Sequence, residues 1–202
     1  MRDLVTHLHG NDALVAAATD VDDRPSTSDV RLSWRGQADA IIDVVTRDGA
    51  ELLDWRVQLA GHAAPRRPLR EALIQRGFET WIHADDVRAA IDLPWRQPGA
   101  RQVADIVEFA LRLLPSAMET AGRAHPHKAI RLMLTGDGGG SRVVDLSPTA
   151  AGVVVAEISL PAERFCRLVA GRLAGSPTGA EVDGDPDVVH DFLTVAATMG
   201  CD

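Results

Sequence analysis

The stretch Asp92-Leu-Pro-Trp-Arg-Gln-Pro-Gly99 divides this sequence. Proline has no backbone N–H to continue a helix and its ring crowds the preceding turn, so two prolines followed by a glycine stop any element that reaches them. Before this break the apolar residues recur at helical intervals. After it the pattern changes, with short strand-like runs among the helices. A domain of residues 1–92, a linker over 93–101 and a domain of 102–202 are therefore expected, and 202 residues suit one large or two small domains.

In the first half, residues 3–18 predict a helix with Leu4, Val5, Leu8 and Val15 on one side. His7 and His9 flank that stripe at similar angles, and periodicity does not choose between them. His9 reads as a structural residue. A polar loop over Asp20–Asp29 follows, then a helix from about Leu32 to Val45 and another from Ala50 to Leu59, separated at Asp48-Gly49. Gly61 to Pro68 is a connector, and a long helix runs from near Leu69 to about Ile91. Ile74, Phe78, Trp81 and Ile82 share one face of it, while Arg76, Glu79, His83 and Asp86 share another. That second face is either a row in water or the lining of a cavity, in which Arg76 and Asp86 would orient the groups beside them.

Glu79 and His83 lie four residues apart and so stack about one helical turn from each other. Such a pair can grip one cation. The same spacing fits a solvated, helix-stabilising pair, and it does not decide alone. A third donor upstream matters because catalytic zinc takes three N/O ligands and keeps one position open.

Beyond the break, Gln102 to about Thr120 predicts an amphipathic helix. Ala129–Leu134, Arg142–Leu146 and Gly152–Leu160 read as three strands of an antiparallel sheet, joined by hairpin-like separators. The run Gly136-Asp-Gly-Gly-Gly140 lacks the Gly-Lys-Ser/Thr ending and following helix of a phosphate loop, and is read as a turn. A helix from Pro161 through Ala174, a strand near Gly179–Val182 and a helix from Pro186 to Met199 complete an α+β domain. Cys166 and Cys201 are too few for a disulfide framework, and Cys166 sits in a helical pattern as an apolar packer.

The 29 acidic residues against 21 Lys and Arg are scattered, for a net charge of −8. No basic stripe exists to neutralise a phosphate backbone, so nucleic acid is not an expected partner. There is no apolar run of about eighteen residues and no leader-like amino terminus, so no membrane association is expected and the chain reads as cytoplasmic.

The words "RDLVTHLHGNDALVAAA" and "RGFETWIHADDVRAAI" together resemble the mycothiol-dependent maleylpyruvate isomerase family. That resemblance implies a DinB-like helical bundle in which His7, Glu79 and His83 hold zinc or another divalent metal. "CRLVAGRLAG" and "EVDGDPDVVHDFL" look like the family's second domain, which is similar to sterol carrier proteins. The resemblance also implies mycothiol as thiol cosubstrate, adding to the cis double bond of maleylpyruvate or a similar acid so that the bond can rotate. An arginine in this half is important in the family. Arg172 is the candidate, with Arg167 and Arg142 as rivals, and it would grip a substrate carboxylate.

The expected activity is thus a metal- and mycothiol-dependent isomerase or thiol transferase. The competing reading is a non-catalytic protein that binds a metal or small molecule. One departure stands out. Family members begin with a long helix before a "WTVRDLVAHL" type of segment, whereas this chain starts at Met1-Arg-Asp-Leu. A bundle incomplete at its amino terminus would expose an apolar groove. A start site placed too far downstream is the expectation; a homodimer closing the groove and a degenerate, inactive relative are the alternatives.

Overall fold

The computed structural model describes residues 2–21, 28–61, 66–173 and 179–200. Two compact units are present, Met1–Trp95 and Arg96–Asp202.

The first unit contains α1 (Arg2–Ala18), α2 (Val30–Asp48) and α3 (Leu69–Ala89). Val5, Leu8, Val15 and Ala16 of α1 join Ile41 of α2 and Phe78, Trp81 and Ile82 of α3 among the buried residues. Removing each of the large side chains from water contributes about 1.5–3 kcal/mol. Asp29 starts α2 by accepting a hydrogen bond from the Arg31 backbone N–H at 3.0 Å, and Gly49, at φ 71°, ends it. Positive φ costs glycine little, which is why the break falls at Asp48-Gly49.

The expected helix from Ala50 to Leu59 is not formed. A single 3-10 turn, Leu52–Asp54, gives way to β1 (Arg56–Val57), which pairs antiparallel with β2 (Arg67–Pro68). From Arg56 to Leu59 the residues alternate exposed, buried, exposed, buried, the period of a strand. Leu59 is buried with Val57, so the first unit is not helical throughout. The Leu69 backbone N–H donates to the Trp55 carbonyl at 2.8 Å and launches α3 directly from this β pair.

The second unit has α4 (Ala100–Thr120), β3 (Lys128–Thr135), β4 (Gly140–Asp145), β5 (Val153–Pro161), α5 (Ala162–Val169), β6 (Glu181–Gly184) and α6 (Pro186–Ala196). The strand order is β4-β3-β5-β6. β3–β4 and β5–β6 are antiparallel, but β3 and β5 run parallel from Lys128↔Val153 to Thr135↔Pro161. The sheet is therefore mixed, correcting the antiparallel expectation. The segment after β4 crosses the start of β3 instead of turning back beside β4. Gly152 makes that crossing possible: a Cβ there would lie 2.1 Å from the Lys128 carbonyl carbon. Its N–H is held by Asp145 Oδ1 at 2.8 Å.

Ile130, Leu132 and Leu134 of β3 and Ala156, Ile158 and Leu160 of β5 are buried, with α5 packed against both strands and α6 against β5. Gly138, at φ 76°, lies against the first turn of α4, where a Cβ would meet the Ala100 carbonyl at 2.4 Å. The glycine run is thus a packed hairpin turn. α5 stops at Val169, short of the expected Ala174: Gly171 adopts φ 69° and the Arg172 N–H returns to the Arg167 carbonyl at 2.9 Å, a left-handed helix ending. Ala174 itself and Cys201 lie outside the described residues. Asp185 caps α6 through the N–H groups of Asp187 and Val188. No described helix is long and apolar enough to cross a membrane.

Candidate metal centre

The paired contacts Asp12–Arg76, Asn11–Glu79 and His7–His83 run in opposite order along α1 and α3, so the two helices are antiparallel where they meet. The second face of α3 is thereby turned against α1, not into water. Glu79 and His83 are buried, at 6% and 4% exposure, which removes the reading of that face as a solvated row.

One donor atom from each of His7, Glu79 and His83 lies within 4.8 Å of the other two. His7 Nε2 is 3.7 Å from Glu79 Oε2, and the His7 and His83 rings meet edge to face with centroids 5.5 Å apart. His7 is half-buried and forms the solvent side of the cluster. Of the two amino-terminal histidines it is His7 that turns to α3. His9 is buried beside Asp12, close enough to favour that carboxylate's charge.

The groups around the cluster differ in what they touch. Asp86 Oδ2 lies 3.2 Å from His83 Nδ1. A proton on Nδ1 directed to Asp86 leaves Nε2 as the donor nitrogen, and His83 Nε2 is buried with no hydrogen-bond partner. An orphaned buried nitrogen beside a carboxylate and a second imidazole is the donor chemistry that zinc and similar cations take. Arg76 pairs with Asp12, which also accepts from Trp34 Nε1 at 2.9 Å, so the Asp12 carboxylate ties three helices together. Burial raises the Asp12 pKa, against the lowering effects of Arg76 and Trp34.

Sequence reasoning did not single out Asn11, Asp12 or Trp34. Asn11 follows His7 by one helical turn, the one local signal; nothing local marks Asp12 or Trp34, whose partners lie on other helices.

Arg172 belongs to the second unit and follows α5, where its Nη1 donates to the Ala170 carbonyl at 2.8 Å. Arg142 Nε donates to Glu108 at 2.5 Å, and the buried Arg167 pairs with Glu163. Cys166 is fully buried, and burial is the main cause pushing its thiol up to about 12, which excludes a ready thiolate.

No family model matches the sequence, and no curated protein matches it. Two solved structures are similar to the chain. One is a mutant of the mycothiol-dependent maleylpyruvate isomerase, at 18% identity over 91% of this chain and 78% of that one, with a TM-score of 0.48. The other is the mycothiol-dependent maleylpyruvate isomerase itself, at 15% identity over the same shares, with a TM-score of 0.43. At these values neither likeness assigns a fold or an activity.

Proposed function

We propose that the first unit binds one divalent cation through His7, Glu79 and His83, and that the protein is a thiol-dependent isomerase or thiol transferase acting on a small electrophilic acid. The observation that carries this reading is the convergence of three donors around a buried His83 nitrogen that nothing else satisfies. The sequence resemblance supplies mycothiol as the thiol and a maleylpyruvate-like acid as the substrate class. A cation in such a site supplies positive charge that favours the deprotonated form of a thiol or water bound at its open position.

The chain's own groups have distinct tasks in this reading. Glu79 contributes the anionic oxygen, and burial strengthens its attraction for a cation. Asp86 fixes the orientation and tautomer of His83. His7, half-exposed, leaves the approach from solvent open. The Arg76–Asp12 pair holds α1 to α3, and with them the donors of the two helices. In the second unit, the sequence resemblance makes Arg172 the residue proposed to hold a substrate carboxylate, with Arg142 and Arg167 as rivals.

Metal analysis of the purified protein tests the reading. About one equivalent of divalent metal is expected in the wild type, lost in Glu79→Ala and in His83→Ala while circular dichroism stays unchanged. Metal-free wild type that resists reconstitution would leave a folded small-molecule binder without this chemistry.

A further inference from the structure

Asn11 takes up the lone pairs that a cation would need. Its Nδ2 lies 2.6 Å from Glu79 Oε2 and 3.0 Å from His7 Nε2. A carboxylate only accepts hydrogen bonds, so the amide nitrogen, and not its oxygen, faces Glu79. The same NH2 group then faces His7 Nε2, which must accept, and the His7 ring proton belongs on Nδ1.

The two acceptors are not equivalent. A carboxylate oxygen has a second lone pair and can bind a cation while keeping its hydrogen bond. An imidazole Nε2 has one lone pair, so its bond to Asn11 and coordination exclude each other. The spacing His7-x-x-x-Asn11 places this competitor one turn along α1, over its own histidine. His83 Nε2 has no such competitor.

We infer that Asn11 competes with a cation for the site: its amide is hydrogen-bonded to both Glu79 and His7, and it must release His7 Nε2 for that nitrogen to coordinate a metal. This rests on the metal reading above. Asn11 is then a positioning residue that holds Glu79 and His7 together and limits the affinity of the site for a cation.

Zinc affinity, measured by competition with a chromophoric chelator, is expected to be about fivefold tighter in Asn11→Ala than in wild type, the factor that one neutral hydrogen bond represents. Thermal unfolding of the metal-free protein should move to lower temperature in the same variant, and Asn11→Ser should lie between the two. Nitrogen NMR of the metal-free wild type, with His7 assigned by comparison with His7→Gln, should show an unprotonated Nε2 that accepts a hydrogen bond.

Unchanged or weaker zinc binding by Asn11→Ala, with zinc still bound by the wild type, overturns the competing role alone. Wild type that binds no zinc overturns it together with the metal reading. Should Asn11→Ala not fold, the NMR result decides: a proton on His7 Nε2 contradicts the inference.

Discussion

Asp12 shows how one side chain can be both costly and indispensable. Its carboxylate is buried, and burial raises its pKa by more than Arg76 and Trp34 lower it. A carboxyl whose folded pKa is raised binds its proton more tightly when folded, so ionised Asp12 opposes folding and that cost is relieved as pH falls. Removing it is nevertheless worse, because the largely buried Arg76 guanidinium would lose its partner. Asp12→Ala is expected to lower the unfolding free energy in urea by about 3–5 kcal/mol. Trp34→Phe, which removes only the indole donor, should cost about 1 kcal/mol; equally small losses in both variants would mean that water already solvates Arg76. Asp191 has the opposite sign. Burial pushes it up, but hydrogen bonds from His125 and Arg123 outweigh that and its pKa is lowered. Its contribution is present above the ordinary carboxylate pKa and is lost as pH falls through the folded value. Melting temperature against pH should therefore fall less steeply on acidification in Asp191→Asn than in wild type, from a lower start at pH 7. Among the site residues, Glu79 and His83 are legible from their spacing on one helix. Asn11 and Asp12 meet partners 68 and 64 positions away, which no local pattern encodes.

Elements whose period is sustained over many residues were legible, and those decided by a crossing or a single backbone conformation were not. α3 and α4 follow directly from their apolar stripes. The β1–β2 pair was missed because two-residue strands offer almost no period, although the alternation over Arg56–Leu59 carried the signal. The parallel pairing of β5 depends on where the chain passes over β3, and the glycine at 152 reads equally as the end of a hairpin loop. Its role is testable. Gly152→Ala puts a methyl group into the Lys128 backbone and should destabilise the second unit by about 1–3 kcal/mol in urea. Gly10→Ala has no atom within 4 Å of its Cβ and lies inside α1, so it should stabilise by about 0.5–1 kcal/mol. A neutral Gly152→Ala would mean that the loop crosses β3 at a greater distance.

The described residues form a mainly helical unit that carries the donor cluster and a mixed-sheet unit that carries Arg172. The proline- and glycine-containing stretch stops helices through chemistry that acts locally on the backbone. The return of His7 to α3 is a long-range event, and only the likeness of two sequence words to a known family pointed to it. Everything proposed for the protein depends on whether those three side chains hold an ion. X-ray absorption at the metal edge of the zinc-loaded protein measures this most directly. Nitrogen or oxygen neighbours at about 2.0–2.1 Å with the outer-shell scattering of two imidazoles are expected, reduced to one imidazole in His7→Ala. Sulfur neighbours at about 2.3 Å, or a shell without imidazole, would contradict the assignment.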